Sequence, residues 1–462
     1  MLQQVWTLLK DGVRGKAYDY TAISIPKAII LLAIPMMLEM AMESIFALVD
    51  TYFVGKVGTE ALTTVGLTEV MMTLVYSLAI GVSTAPMAMV SRFIGEKNPE
   101  KAGKAAGQAI LLGIFVSLLI AVPGWIYSAD LLALMGASPA VIEQGVGYTR
   151  IMFASNVVIM LLFVINGIFR GAGEAAKAMR VLWLANGINI ILDPIFIFGL
   201  GPIPGFGVEG AAIATTIGRG VGVLYQLYLL FGDRSVVKMG ERAWIIDWSM
   251  QERIGRIAST GAFQYLIASA SWVFLMRIVA AFGDAAVAGY TVSIRLILFT
   301  LLPAWGLANA AATFVGQNLG AKQPERAERG VWVTLRVTSI YLIVLSLGYY
   351  FLAQPLVQAF VEEAEAVAFG VQSLQLFALG YVLFGVGMIP VQAFNGAGDT
   401  RTPTLINFIC FWLIEIPLGY YLGKELGYAV EGVVGAVVIA EAILAALAVW
   451  LFKLGKWKGT EV

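Results

Sequence analysis

Long apolar stretches follow one another along the whole chain, and only short polar segments separate them. Each stretch reaches roughly 18 residues or more, which is enough to cross a bilayer as a helix. We count twelve, at about 27–54, 61–91, 103–128, 137–169, 175–200, 207–231, 252–281, 286–317, 327–353, 365–394, 401–423 and 429–452. The pattern therefore predicts an all-α integral membrane protein with twelve transmembrane helices.

Several local motifs occur twice, always at the same offset along the chain. Residues 95–102 (GEKNPEKA) correspond to residues 320–327 (GAKQPERA), and residues 171–174 (GAGE) correspond to residues 396–399 (GAGD). The twelve spans thus divide into two homologous six-helix lobes. Membrane proteins built from such repeats are commonly transporters, with the substrate site between the repeats.

The repeat and the spans together predict five segments. They are a cytoplasmic N-terminal segment (1–26), an N-lobe with spans 1–6 (27–231), a cytoplasmic inter-lobe linker (232–251), a C-lobe with spans 7–12 (252–453) and a cytoplasmic tail (454–462). We interpret the repeated Gly-x-Lys-x-Pro-Glu segments as helix–helix turns in which glycine supplies the unusual backbone angles.

Composition narrows the classes of function. Hydrophobic residues make up 59% of the chain and charged residues 13%, against about 25% charged residues in a soluble domain. The net charge is zero, so there is no basic surface for nucleic acid. Histidine is absent, which removes the commonest general base and metal ligand. We therefore expect neither an enzyme nor a cofactor, apart from a coupled ion.

Lysine and arginine are concentrated on one side of the predicted membrane. That side includes the N-terminal segment, the linker and the tail, whereas on the other side we find only Lys56 and Lys424. By the positive-inside rule both termini are cytoplasmic. The expected location is the cell membrane, with the lipid bilayer as a partner.

Acidic residues inside the spans are concentrated in the first half. Glu39, Glu43 and Asp50 lie on span 1, and Asp193 lies on span 5 with Asn189 one turn before it. A charge at the centre of a span costs on the order of 2.5–3.5 kcal/mol on insertion scales, so such residues are usually functional. At the corresponding positions of the second half, Asp50 and Asp193 are replaced by leucines.

We therefore interpret Asp50 and Asp193 as ion-coupling residues. The alternative is a pair of buried carboxylates satisfied by local hydroxyls and amides, with no ion traffic. Glu39 and Glu43 share one helix face and would either bind a cationic substrate or line an outer, hydrated vestibule. The other ionisable residues that we place inside spans are Arg150, Arg219, Arg277, Arg295, Arg336, Glu415 and Glu441. For Arg150, Arg277 and Arg295 we favour pairing with an acid or capping of carbonyls.

The chain resembles the multidrug and toxic compound extrusion (MATE) family over nearly its whole length. The motifs that carry the resemblance are Pro35 with residues 50–55 (DTYFVG), residues 189–197 (NIILDPIFI), 207–215 (GVEGAAIAT), 315–321 (VGQNLGA) and 396–400 (GAGDT). The resemblance implies a MATE-type fold. It also implies a monomer that exports small organic cations or amphipathic compounds by alternating access, driven by an inward H⁺ or Na⁺ gradient.

The first-lobe acids resemble those of the DinF-like branch, in which the first-lobe cavity holds the coupling site. The resemblance assigns ion coupling, and Na⁺ ligation if Na⁺ is used, to Asp50, Asn189, Asp193 and Thr215. It assigns the lining of the substrate cavity to Pro35, Met36, Glu39, Glu43, Phe46, Tyr148 and Asn166. Relatives carry Gln and Tyr at the positions of Glu43 and Phe46, which leaves the coupling ion open; we favour H⁺, with Na⁺ at the same site as the alternative.

Two other functions are weighed against export. A lipid-linked oligosaccharide flippase of the same superfamily would need a cationic cavity to hold pyrophosphate, whereas we expect an acidic one. An intramembrane enzyme would need a catalytic pattern that the sequence does not provide.

Overall fold

The computed structural model describes residues 2–232 and 234–462. Met1 and Asp233, which belong to the predicted N-terminal segment and linker, lie outside the described residues. Throughout the part that is described, the regular elements are helices, as the apolar stretches predict.

The first half contains nine α-helices, and the long ones follow the predicted spans. They are α1 (Leu2–Arg14), α2 (Ile25–Gly55), α3 (Thr59–Gly95), α4 (Pro99–Ile126), α5 (Ser128–Leu134), α6 (Pro139–Ala154), α7 (Asn156–Gly171), α8 (Ala175–Phe198) and α9 (Val208–Phe231). Helices α6 and α7 follow each other closely and form one span, Pro139–Gly171.

The second half repeats this order. Its helices are α10 (Trp248–Ala280), α11 (Asp284–Gly320), α12 (Pro324–Phe351), α13 (Ala353–Gln358), α14 (Ala364–Ala397), α15 (Arg401–Asn407), α16 (Ile416–Tyr420) and α17 (Ala429–Lys453). The π-helical stretch Phe408–Glu415 joins α15 to α16, and a second one, Tyr421–Glu425, follows α16, so that together they form one span, Arg401–Glu425.

Eleven helical spans among the described residues are long and apolar enough to cross a membrane. The twelfth predicted span is α9, which has 24 residues and carries Arg219 and Gln226 inside the lobe. These two polar side chains reduce its hydropathy relative to the other spans. The chain is therefore an all-α, multi-pass membrane protein with two repeated lobes.

The sequence repeat extends to backbone conformation. Helices α3 and α11 begin at the corresponding residues Thr59 and Asp284, and Lys97 and Lys322 have φ angles of 57° and 59° in the turns that follow. The predicted role of glycine in these turns was wrong, since lysine and not glycine adopts the left-handed conformation.

The glycines at these helix ends instead allow the two lobes to approach each other. A Cβ on Gly95 would lie 2.0 Å from the carbonyl oxygen of Gln317, and a Cβ on Gly320 would lie 2.0 Å from that of Arg92. The side chain of Gln317 also donates a hydrogen bond of 3.0 Å to the carbonyl of Gly171. Because these contacts join opposite lobes, the lobes are closed together at the end that carries the linker.

The linker packs against the N-lobe. The Gln108 amide of α4 donates hydrogen bonds of 2.9 Å to the carbonyls of Ala243 and Ile245. The Lys104 ammonium lies 2.5 Å from the Asp247 carboxylate, which also accepts from the Met250 amide at the start of α10. This contact with Lys104 holds the pKa of Asp247 below its ordinary value. The linker is thus bound to α4 by specific hydrogen bonds and an ion pair.

Candidate functional site

A cavity lies between the two lobes. The first lobe contributes side chains from α2, α3, α7, α8 and α9, and the second contributes side chains from α10 and α11. Its polar and aromatic lining comprises Glu39, Glu43, Ser83, Thr84, Phe163, Asn166, Arg170, Arg219, Tyr265, Trp305 and Asn309. A central cavity with convergent polar groups is the expected form of a substrate site.

Glu39 is held in a buried network on the first-lobe side of this cavity. One carboxylate oxygen, Oε1, accepts a 3.2 Å hydrogen bond from Asn166 Nδ2 and lies 3.6 Å from Arg170 Nη1. Gln226 fixes Asn166 by donating to its Oδ1 at 2.8 Å. The other oxygen of Glu39 is buried without a partner among the described residues. Glu39 therefore keeps one acceptor available.

Glu43 lies in a second network, one turn further along α2. Its Oε2 accepts a 3.0 Å hydrogen bond from Asn186, and its Oε1 lies 3.7 Å from Arg219 Nη2. The Arg219 guanidinium also donates a 2.9 Å hydrogen bond to the Tyr76 hydroxyl. The guanidinium carbon lies 5.6 Å from the ring centroid of Phe46, within range of a cation–π contact.

The two networks change the expected charge of the cavity. We expected an acidic cavity from Glu39 and Glu43, but each glutamate is paired with an arginine from another helix. The lining therefore carries two carboxylates and two guanidiniums. A cationic ligand could bind a glutamate by displacing its arginine, and an anionic ligand could bind an arginine by displacing its glutamate.

The predicted ion-coupling residues come together between α2, α8 and α9. Asn189 Nδ2 donates a 3.0 Å hydrogen bond to Thr215 Oγ1, while Thr216 binds the carbonyl of Ala212 in its own helix. Asp193 is fully buried, and its two carboxylate oxygens have no hydrogen-bond partner in the described chain. Asp50 interacts electrostatically with Asp193 and with Arg219.

This group offers several oxygen ligands to a small cation. Both oxygens of Asp193 and the Oδ1 of Asn189 are buried and unpartnered among the described residues. Hard oxygen donors of this kind suit Na⁺, and a single proton on Asp193 would satisfy the same carboxylate. The arrangement thus fits both of the ions that the sequence leaves open.

Four predicted cavity residues lie elsewhere. Met36 is 1% exposed and packs against Leu307 and Phe314 of α11, and Pro35 is buried beside it inside α2. Phe46 lies beside the Arg219 guanidinium, and Tyr148 packs in the N-lobe core with residues such as Val54, Met71 and Val75. In this structure the predicted cavity lining is found at Glu39, Glu43 and Asn166 but not at these four positions.

Arg170 and Glu69 are charged residues that the sequence analysis missed. Arg170 directly follows a predicted span and was not counted as being inside the membrane, yet it is buried and lines the cavity. Glu69 lies within a predicted span and interacts electrostatically with Arg219 and Asp50. Its position inside the second apolar stretch was a signal that could have identified it.

Comparison with known proteins extends the likeness to both lobes. The MatE family model matches residues 35–195 and 261–421. The chain is 29% identical over 395 residues to the FAD transporter of Shewanella oneidensis, covering 84% of this chain and 85% of that protein. It is 25% identical over 444 residues to the probable multidrug resistance protein NorM of Thermotoga maritima, covering 95% and 94%.

A solved structure shows the same architecture. It is described as the outward-facing conformation of a multidrug resistance MATE family transporter of the MOP superfamily. The TM-score is 0.90 at 26% identity, and the match covers 96% of this chain and 99% of the other.

Proposed function

The chain belongs to the MatE family, and on that premise we propose that it is a secondary-active exporter of small organic compounds, driven by an inward H⁺ gradient. Members of this family are transporters and not enzymes, in agreement with the sequence prediction. The N-lobe position of the acids supports the DinF-like assignment within this proposal. The lysine and arginine bias supports a cell-membrane location with both termini cytoplasmic, and we expect a monomer.

The environment of Asp193 is the observation that carries the proposal. Its carboxylate is fully buried, and neither oxygen has a partner at ordinary hydrogen-bond distance among the described residues, although the Asn189 side chain one helical turn away interacts with it. An ionised carboxylate without such partners is strongly disfavoured in an apolar interior. A proton or a small cation from the gradient would supply the missing partner.

Arg219 supplies a physical connection between this group and the cavity. It pairs with Glu43 at the cavity wall and interacts electrostatically with Asp50. When Asp50 or Asp193 gains a proton, the charge that faces Arg219 decreases, and its attraction to Glu43 becomes relatively stronger. The affinity of a ligand that competes for Glu43 or Arg219 would therefore depend on whether Asp50 and Asp193 are protonated. This dependence is the basis for coupling.

Dye efflux from proteoliposomes tests the proposal. We expect efflux under an imposed pH gradient in Na⁺-free buffer, and we expect Asp193→Asn and Asp50→Asn each to abolish it. Asp130→Asn, which removes an exposed acid of α5, is the matched control. Efflux driven by Na⁺ alone and insensitive to pH would refute proton coupling, and normal efflux by either variant would remove that residue from the mechanism.

A second candidate substrate class is an aromatic anion. Arg170 and Arg219 both line the cavity, and the rings of Tyr265 and Trp305 lie stacked at 5.8 Å with an interplanar angle of 17°. Guanidiniums and aromatic faces are suited to a phosphate-bearing, flat ligand, and one relative is named as an FAD transporter. An acidic cavity was the argument against an anionic lipid-linked substrate. Because each glutamate is paired with an arginine, that argument no longer holds.

Competition separates the two classes of substrate. FAD added to the dye assay should slow dye efflux if the cavity accepts an aromatic anion, and Arg170→Gln should weaken that inhibition more than it weakens dye transport. No inhibition by FAD at saturating concentration would leave cationic and amphipathic compounds as the substrate class.

A further inference from the structure

The second lobe contains a buried acidic pair that plays no part in the site described above. Glu415 is 1% exposed and Glu441 is 8% exposed. Glu415 ends the π-helical stretch Phe408–Glu415, and Glu441 lies in the middle of α17, which packs against that stretch. The two carboxyl groups interact electrostatically.

Neither carboxyl has a basic partner in the part of the chain that the structure describes. The titratable groups that face them are Tyr290 of α11, which interacts with Glu415, and Cys410 of the same span, which interacts with both. Two arginines of the second lobe that lie within predicted spans, Arg277 of α10 and Arg295 of α11, are exposed. The pair is therefore unlike Glu39 and Glu43, each of which has a guanidinium.

Tyr290 gives an independent indication of a ligand. Its side chain is 1% exposed, and its hydroxyl has no hydrogen-bond partner among the described residues. The Oε1 atom of Glu415 is likewise buried without a partner. Two buried polar groups left without partners on two helices are costly unless something binds between them.

The backbone at Glu415 is unusual in the same place. The π-helical turns of Phe408–Glu415 interrupt the α-helical span Arg401–Glu425. Such turns are rare within helices and are frequently found at functional sites.

The repeat places this pair on the helices that correspond to α8 and α9. The first-lobe counterparts of Glu415 and Glu441 are Ile190 and Thr216, and each of these directly follows Asn189 or Thr215 of the first-lobe group. The two lobes therefore carry polar groups on the same pair of helices, one sequence position apart.

We propose that the second lobe holds its own proton-binding site, formed by Glu415 and Glu441 with the Tyr290 hydroxyl, and that this site adds a proton to each transport cycle. Two carboxylates without a cation cannot both remain ionised in a low-dielectric interior, so one proton is shared between them. The inference rests on the proposed proton-driven export and extends it from one lobe to both.

Transport stoichiometry tests the proposal. The assay uses a fixed difference of one pH unit and a membrane potential clamped to zero. Under these conditions, a transporter that exchanges one proton fewer per exported molecule can sustain a substrate concentration ratio that is about tenfold smaller. We expect Glu415→Gln and Glu441→Gln each to reduce the sustained gradient about tenfold. Glu431→Gln, at an exposed position of α17, should leave it unchanged.

The outcomes distinguish this inference from the proposed function. If the wild type sustains no gradient in response to pH, proton-driven export itself is wrong. If the wild type responds and both glutamine variants sustain the same gradient as the wild type, only the second-lobe site is refuted.

A measurement on the unaltered protein covers the case in which the glutamine variants do not fold. Dicyclohexylcarbodiimide modifies protonated carboxyls in apolar surroundings, and mass spectrometry locates the modified residue. We expect modification at Glu415 or Glu441 that decreases as the pH is raised, and none at Glu431. Failure to label either residue across the pH range would overturn the proposal.

Discussion

Substitution of Gly81 by alanine tests how closely the two lobes meet. Gly81 lies in α3, and a Cβ at this position would be 2.2 Å from the backbone nitrogen of Ala262 in α10. Ordinary contacts of a Cβ begin at 3.4 Å, so the two helices would have to separate locally to make up the difference. The obstacle is backbone and cannot rotate away.

The cost follows from overpacking. Inserting a methyl group into a well-packed interface costs about 1–3 kcal/mol. Gly66 of the same helix is a matched control, because a Cβ there meets nothing within 4 Å. Replacing a glycine by alanine in an unobstructed helix stabilises by roughly 0.5–1 kcal/mol. The two substitutions should therefore have opposite signs.

Two measurements in nanodiscs read out this difference. Thermal unfolding should show a lower midpoint for Gly81→Ala and an equal or higher one for Gly66→Ala. Spin labels at Glu96→Cys and Glu325→Cys, in a Cys410→Ala background, should report a larger fraction of molecules with the lobes apart for Gly81→Ala only. An unchanged midpoint and an unchanged label separation for Gly81→Ala would refute the close packing of α3 and α10.

Three further outcomes follow from the site and the linker. Thr215→Ala should leave proton-driven efflux nearly normal, whereas a raised Na⁺ requirement in the same assay would favour Na⁺ coupling. Arg170→Gln should lower the free energy of unfolding by about 3–5 kcal/mol, because it leaves Glu39 buried and unpaired; the double variant with Glu39→Gln should recover most of the loss, as measured by chemical denaturation. Asp247→Asn should destabilise the linker at neutral pH, because the wild-type carboxylate has a lowered pKa beside Lys104 and stabilises only while it is ionised. The difference from wild type, measured by hydrogen exchange, should vanish as the pH falls through that lowered pKa.

The architecture could be predicted because neither of its two signals depends on tertiary contacts. The length of an apolar stretch is enough to predict a membrane helix, and the constant offset between the repeated motifs then assigns the helices to two lobes. Asp50, Asp193 and Asn189 were identifiable for the same reason, since a polar residue inside an apolar stretch stands out on its own.

Tertiary pairing was not predictable by this route. In the sequence, Arg170 has the position of a residue at a helix end whose side chain extends into water. Only the structure shows that it pairs with Glu39, which lies far earlier in the chain on α2. The same holds for Met36, whose burial against α11 depends on how closely the lobes meet. The π-helical stretch Phe408–Glu415 was not part of the sequence prediction either, although Pro417, which has no backbone N–H to donate, follows it closely.

The modest hydropathy of α9 has a consequence for how the protein is made. An arginine at the centre of a helix opposes insertion by about 2.5–3.5 kcal/mol, and Arg219 lies near the middle of Val208–Phe231. Gly218 and Gly222 lie one helical turn apart, and a Cβ on them would lie 2.6 Å and 3.0 Å, respectively, from atoms of Ala185 in α8. This is the small-residue spacing that favours helix pairing in lipid. We expect α9 to enter the bilayer together with α8 as a hairpin, after α2 has already provided Glu43 as a partner for the incoming charge.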